Sequence, residues 1–105
     1  MGRVSMLATY ASELALTDAG LLGHPVLKSG QAGVSYGSSS GSPPSIMEFG
    51  EMLINYQTSG LRANTYVRMM PHTTAINIGI FFGMTGRIIP SSSACTSGSL
   101  SIGYA

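Results

Sequence analysis

Apolar residues recur every three or four positions at the start of the chain, from Arg3 to about Ala19. This spacing predicts an α-helix with one buried apolar stripe. The stripe consists of Val4, Leu7, Ala8, Ala11, Leu14 and Ala15. The polar residues between them are expected to face solvent or another subunit; they include Ser5, Ser12, Glu13 and Asp18. Gly20 is expected to end the helix.

A short strand and a second helix are predicted next. Residues 32–37 are rich in strand formers and flanked by glycine, which is typical of a buried strand. Pro43 suits the first turn of a helix with Ser42 as its N-cap, and Gly60 is expected to close that helix. Its predicted apolar face is Ile46, Phe49, Met52, Leu53 and Tyr56. The Ser- and Gly-rich loop 38–42 lacks the lysine of a phosphate-binding loop, so we interpret it as a tight turn that could wall a substrate cavity.

The last part of the chain predicts a buried helix followed by an edge strand. Residues 62–70 look irregular, whereas residues 72–83 form a nearly uncharged segment that we interpret as a helix. Its β-branched residues and Gly79 weaken helix propensity, so burial on several sides has to stabilise it. Residues 87–93 then predict a strand, and Pro90 places it at a sheet edge because proline donates no hydrogen bond. Such an edge favours a seam between two subunits.

The composition resembles that of a protein interior. Only 9% of the 105 residues are charged, against about a quarter in ordinary soluble domains. Too few charged side chains are present to cover an independent globule, which suggests a tight oligomer or a piece of a larger molecule. We favour the piece, because residues 98–105 begin an apolar helix that stops without a capping signal.

The charge pattern argues against several classes of partner. With a net charge of +1, one lysine and four arginines, the chain has no basic stripe for nucleic acid. No apolar run approaches the length of about 18 residues that a membrane span needs, and the N-terminus lacks signal-peptide features. Two histidines without carboxylates at matching spacing make no metal site. A single unpaired cysteine fits a reducing cytoplasm.

That cysteine, Cys95, is the strongest candidate for chemistry. It lies among small residues, in PSSSACTSGS (90–99), where the predicted strand turns into a helix. The amide end of a helix favours a thiolate, as in a nucleophile elbow. The alternative is that Cys95 is a small buried core residue. The residues alone leave the nucleophile and the core residue equally open. Neither His24, in a turn, nor His72, a capping or cavity residue, lies in a motif for a catalytic base.

Several segments resemble one known family over nearly the whole chain. SSSACTSG (91–98) looks like the active-site peptide of the β-ketoacyl-acyl-carrier-protein synthases of the elongating type, which are thiolase-fold condensing enzymes. Residues 102–105 resemble the start of the helix that follows. Residues 1–21, ending in DAGL, look like their first long helix, and residues 33–43 are similar to the strand and loop behind their acyl pocket.

The resemblance implies an α/β, thiolase-like layered fold, of which residues 1–105 are a partial N-terminal domain truncated in the helix after Cys95. It implies that an acyl carrier protein acylates Cys95, and that a decarboxylated malonyl unit then attacks the thioester in a Claisen condensation. Ala94 and Ser40 are assigned to the acyl cavity, and the amide of Cys95 to the oxyanion hole. The family forms homodimers through the strand before the cysteine. It needs no metal or organic cofactor, since its substrates are thioesters.

Two departures from the family limit this transfer. The two catalytic histidines and the lysine of the family lie beyond the cysteine, and neither His24 nor His72 corresponds to them. Residues 71–86 look shorter than in ordinary fatty-acid synthases, so the resemblance does not fix the length of the acyl chain. It also leaves open whether the pathway makes fatty acids, polyketides or aryl polyenes. We expect the isolated chain to be inactive and to aggregate. The alternatives are a non-catalytic partner subunit of a synthase and a cysteine-dependent acyl hydrolase.

Overall fold

The computed structural model describes all residues, 1–105, as five α-helices and a two-stranded sheet, joined by loops and two 3₁₀ helices. The α-helices are α1 (Arg3–Asp18), α2 (Pro43–Asn55), α3 (Thr65–Met69), α4 (His72–Phe82) and α5 (Ser97–Tyr104). The strands are β1 (Val34–Gly37) and β2 (Ile88–Ser91), and two 3₁₀ helices cover Pro25–Lys28 and Ala94–Thr96. Helices α4 and α5 pack on the sheet, α1 packs on α4, and α2 packs on α3. None of the helices combines the length and the apolar character that crossing a membrane would require.

The two strands are parallel, and β2 has an open edge. Val34 pairs with Ile88 and Tyr36 pairs with Pro90. The backbone oxygens of Arg87 and Ser91 accept hydrogen bonds from the β1 side, at 2.8 and 3.1 Å. Since groups that face one neighbour recur every second residue, the nitrogen of Pro90 faces the open side of β2. The predicted edge position of Pro90 is confirmed.

Helix α4 forms the centre of the small core, but it is not buried on several sides as predicted, since Ile80 and Phe81 are exposed in this chain. Ala75 and Ile78 are buried and pack with Val34 of β1. A Cβ atom at Gly79 would lie 2.8 Å from Cδ1 of Ile88, so glycine is what allows this helix to pack closely on β2. The prediction of a helix over residues 72–83 is therefore confirmed, and tertiary packing compensates for its weak propensity.

Helix α1 has the predicted bounds but the opposite orientation. Its hydroxyl side faces α4: Ser5 and Thr9 are buried, whereas Leu7 is 61% exposed. Ser5 Oγ lies 3.0 Å from Thr74 Oγ1 and accepts a hydrogen bond of 3.1 Å from Asn77 Nδ2. The predicted buried apolar stripe is wrong, because these bonds satisfy the buried polar groups and let small side chains bring the two helices together.

The region of α2 and α3 also departs from the prediction. Helix α2 ends at Asn55, where Tyr56 takes a left-handed conformation (φ 54°), and not at Gly60. Residues predicted to be irregular form the short helix α3, whose Thr65 hydroxyl donates to the Glu48 carboxylate at 2.7 Å. The predicted apolar face of α2 is largely exposed; Ile46, Leu53 and Tyr56 face solvent.

The predicted N-cap of α2 is only partly right. Ser42 occupies the N-cap position before Pro43, but its hydroxyl makes no capping bond to α2. Instead, Ser42 Oγ accepts a hydrogen bond of 3.3 Å from the backbone nitrogen of Arg3, at the start of α1. Ser42 therefore joins the beginnings of two helices. Since Pro43 and Pro44 have no N–H to donate, the first turn of α2 offers its own N-cap side chain few donors.

Candidate active site

Cys95 lies where the sequence predicts it, between a strand and the N-terminal end of a helix. The strand β2 ends at Ser91, the 3₁₀ helix Ala94–Thr96 forms the turn, and α5 begins at Ser97. The side chain of Cys95 is a free thiol and is exposed. The alternative of a small buried core cysteine is therefore wrong, and the thiol is open to reagents from solvent.

A serine side chain holds the turn around Cys95 together. Ser97 is only 3% exposed. Its hydroxyl accepts a hydrogen bond of 2.8 Å from the backbone nitrogen of Ser93 and donates one of 2.8 Å to the backbone oxygen of Ala94. The hydroxyl of Thr96 adds a bond of 2.7 Å to the Ser93 oxygen. The two residues before Cys95 are thus fixed by the two that follow it.

Ala94, assigned by resemblance to the acyl cavity, has a strained backbone. Its φ is +45°, in the left-handed region, where a residue with a Cβ atom costs about 1–2 kcal/mol. The residue is exposed and directly precedes Cys95. Such strain persists only where the surrounding bonds impose it, and it is common at active-site turns.

The start of α5 lies directly against β1. A Cβ atom at Gly37 would overlap the backbone oxygen of Ser97 and lie 2.5 Å from its carbonyl carbon. The hydroxyl of Ser91 donates to the same Ser97 oxygen at 3.2 Å, and Ser35 Oγ donates to the Ser101 oxygen at 2.6 Å. Both strands therefore fix where the helix behind Cys95 begins.

Ser40, the other residue assigned to the cavity, lies on an exposed loop. The backbone nitrogen of Ser38 donates to the Ser91 oxygen at 3.1 Å, which places the start of this loop beside the end of β2. Ser40 itself bonds only within the loop, where its oxygen accepts from the Ser38 hydroxyl at 2.7 Å. No hydrogen bond joins Ser40 to the turn that carries Cys95.

Three cavities of the chain have walls that do not include Cys95. One of about 420 Å³ lies against β1 and β2, lined in part by Gly33, Ser35 and Arg87. Another of about 650 Å³ lies between the first 3₁₀ helix and the end of α4, with His24 and Phe81 in its wall. A third, of about 420 Å³, is an apolar groove between α1 and α2. Cys95 lines none of the three.

Neither histidine belongs to the turn that carries Cys95. His24 begins the first 3₁₀ helix, where its Nδ1 accepts a hydrogen bond of 3.1 Å from the Val26 nitrogen, so its predicted turn position is confirmed. His72 is exposed at the first residue of α4. No three His, Cys, Asp or Glu side chains come together as a metal-binding group.

Sequence reasoning missed the two residues that shape the turn most directly, Ser97 and Gly37. The signal for Ser97 is present: hydroxyl residues at positions 93, 96 and 97 flank a predicted helix start, where such side chains bind free backbone groups. Gly37 carries no comparable signal, because its close neighbour is 60 positions away in the chain, at Ser97.

Comparisons with known proteins agree on one family. Residues 1–105 match the protein-family model described as Beta-ketoacyl synthase, N-terminal domain. The crystal structure of a Beta-ketoacyl synthase from Burkholderia phymatum STM815 is similar to this chain, with 56% sequence identity and a TM-score of 0.90. The match covers 100% of this chain and 26% of that one. No curated protein matches the chain.

Proposed function

Because the chain belongs to the β-ketoacyl synthase family, whose N-terminal domain it matches from residue 1 to residue 105, we propose that it carries the nucleophile of a condensing enzyme. The resemblance and the thiolase-like α/β fold predicted from the sequence are confirmed. The chain spans 26% of the similar solved chain. We therefore place it as a partial N-terminal domain within a longer synthase, which we call the full-length synthase.

The nucleophile is the thiol of Cys95. Its exposure and its place at the N-terminal end of α5 support this role, since the first amides of a helix have no intrahelical acceptors and favour negative charge nearby. A thiolate attacks a thioester easily, because the product is another thioester. The observation that carries the proposal is this strand–turn–helix geometry in a chain that matches the family throughout.

The reaction proceeds in two steps. The Cys95 sulfur attacks the carbonyl carbon of an acyl thioester on an acyl carrier protein, and the carrier thiol leaves. A malonyl thioester then loses carbon dioxide, and its enolate carbon attacks the acyl carbonyl, which expels the Cys95 thiolate and forms a β-ketoacyl thioester. The amide of Cys95 donates to the oxyanion in both steps. The reaction requires no metal or organic cofactor, since decarboxylation supplies the carbanion.

The surroundings of Cys95 are completed by the rest of the enzyme. Ala94 adjoins the nucleophile and is kept as a cavity position, and Ser40 is kept as a more remote one. Cys95 lines none of the three cavities described above, so we infer that the remaining walls of the acyl site come from the rest of the full-length synthase. The open edge of β2, with Pro90 facing outward, fits strand pairing in a homodimer. The full-length synthase is proposed to act in the cytoplasm.

One assay separates this function from its alternatives. The full-length synthase is incubated with an acyl thioester and a malonyl thioester, each on acyl carrier protein, and the products are identified by mass spectrometry. An extended β-ketoacyl product supports condensation, free acid indicates a cysteine-dependent hydrolase, and no turnover indicates a non-catalytic partner. Cys95→Ala removes the only thiol of the chain and is expected to abolish the product. The 105-residue chain alone is expected to form none.

A further inference from the structure

The buried hydroxyl of Ser97 acts on the peptide bond that leads into Cys95. The backbone N–H of Ser97 and its Oγ both donate to the carbonyl oxygen of Ala94, the Oγ at 2.8 Å, so the hydroxyl adds a second bond that fixes the direction of this oxygen. That oxygen belongs to the same peptide unit as the amide hydrogen of Cys95. All peptide bonds of the chain are trans, and in a planar trans peptide the C=O and N–H bonds point in opposite directions. The bond that holds the Ala94 oxygen toward the start of α5 therefore points the Cys95 N–H away from the start of this helix.

We infer that Ser97 is a positioning residue for acyl transfer, because it aims the Cys95 amide at the oxyanion of the reacting thioester. The inference rests on the function proposed above. Ala94 has a φ of +45°, which an alanine keeps only under external constraint. Ser97 contributes to that constraint from both sides of Ala94, since its hydroxyl also accepts from the Ser93 nitrogen at 2.8 Å, and the Thr96 hydroxyl adds its bond to the Ser93 oxygen. The place of Ser97 is fixed by the close contact with Gly37 of β1.

The step in which Ser97 acts is the formation of the acyl-enzyme. The Cys95 thiolate forms a bond to the thioester carbonyl carbon, and the carbonyl oxygen becomes an oxyanion that accepts from the Cys95 N–H. The intermediate collapses, the bond to the carrier sulfur breaks, and the carrier thiolate takes a proton from water. Removing one oxyanion donor typically costs about 10²–10³ in rate. Ser97→Ala loosens the Cys95 amide without deleting it, so the acylation rate should fall by less than this, but by at least about tenfold.

The test compares two reactions of the same thiol in the full-length synthase. Acylation by a hexanoyl N-acetylcysteamine thioester passes through an oxyanion, whereas alkylation by iodoacetamide does not. Intact-protein mass spectrometry measures both rates at Cys95, with thermal unfolding as a check on folding. The variants are Ser97→Ala, Ser97→Thr, which keeps the hydroxyl, and Ser99→Ala. Ser99 is the matched control, because it is exposed and lies in the same helix.

We expect Ser97→Ala to lower the acylation rate at least tenfold while the alkylation rate changes less than threefold. Ser97→Thr should restore acylation to within threefold of the wild type, and Ser99→Ala should leave both rates unchanged.

Equal acylation of Ser97→Ala and wild type overturns the role of Ser97 while the proposed function stands. A parallel fall of both rates without rescue by threonine indicates a structural role and also overturns it. If Ser97→Ala does not fold, slow acylation of a folded Ser97→Thr overturns the inference. A wild-type enzyme that is never acylated overturns the proposed function as well.

Discussion

Replacing Gly37 with alanine tests whether close contact with β1 sets the position of the turn at Cys95. The added Cβ atom would overlap the Ser97 backbone oxygen and lie 2.5 Å from its carbonyl carbon and 3.1 Å from the Gly98 nitrogen. All three neighbours are backbone atoms, so no side chain can rotate away, and α5 has to move. Overpacking of this kind costs about 1–3 kcal/mol.

The matched control is Gly50→Ala in α2. A Cβ atom there meets no heavy atom within 4 Å, and alanine in a helix interior is favoured over glycine by about 1 kcal/mol. The two substitutions therefore have opposite predicted signs. Thermal unfolding of the full-length synthase should show a lower midpoint for Gly37→Ala, by up to about 2–4 °C per kcal/mol, since longer chains shift less, and no loss for Gly50→Ala.

The reactivity of Cys95 provides the second readout for Gly37→Ala. If α5 moves away from β1, the turn loses its support, and we expect acylation of Cys95 to slow at least tenfold. A Gly37→Ala variant that unfolds at the wild-type temperature and acylates at the wild-type rate would refute the argument, because the predicted overlap would then be absent in the protein.

Three further substitutions are informative. Ser5→Ala removes a buried hydroxyl that pairs with Thr74 and Asn77, so the free energy of unfolding in urea should fall by about 1–3 kcal/mol; a change within experimental error would contradict the buried polar contact. Leu7→Ser changes a side chain that is exposed in this chain but that we expect the rest of the full-length synthase to cover, so the unfolding free energy of the full-length synthase should fall by about 1–3 kcal/mol; an unchanged value would show that this side of α1 stays in solvent. Ala94→Gly removes the steric cost of a positive φ, so the unfolding free energy of the full-length synthase should rise by up to about 1 kcal/mol. An unfolding free energy below that of the wild type would show that the left-handed conformation of Ala94 is not strained.

Except for the short helix α3, which the sequence did not predict, the order of the helices and strands follows from local signals in the sequence. Gly20 and Pro43 bound helices α1 and α2 as predicted, and Pro90 lies with its nitrogen at the open side of β2. The turn at Cys95 is equally local, since small residues surround a strand-to-helix junction. Such features need no information from distant parts of the chain.

The side that α1 buries could not be predicted from periodicity. Apolar and small polar residues each form a stripe along this helix, and Ser5 is buried because Thr74 and Asn77, about 70 positions later, offer partners to its hydroxyl. The close contact of Gly37 with Ser97 is likewise a product of the tertiary structure. Hydrophobic patterns predict that a helix forms, but within this chain long-range hydrogen bonds decide which face of α1 packs on α4.

The exposed apolar side chains explain why the composition looks like a protein interior. Leu7, Tyr10 and Leu14 of α1 lie on the surface of this chain, together with Ile80 and Phe81 of α4. Patches of this kind on a soluble protein mark contact with other protein surface. We therefore expect these faces to be covered in the full-length synthase, in agreement with the proposal that residues 1–105 are part of a larger fold.

Direct detection of an acyl group on Cys95 tests whether this residue is the nucleophile of the synthase. The full-length synthase is mixed with an acyl thioester on acyl carrier protein in the absence of a malonyl substrate, then digested and analysed by mass spectrometry. We expect one acyl group, attached to the peptide that contains Cys95, and none in Cys95→Ala. An acyl group on another residue, or an unmodified Cys95 in an enzyme that still forms β-ketoacyl product, would contradict this role of Cys95.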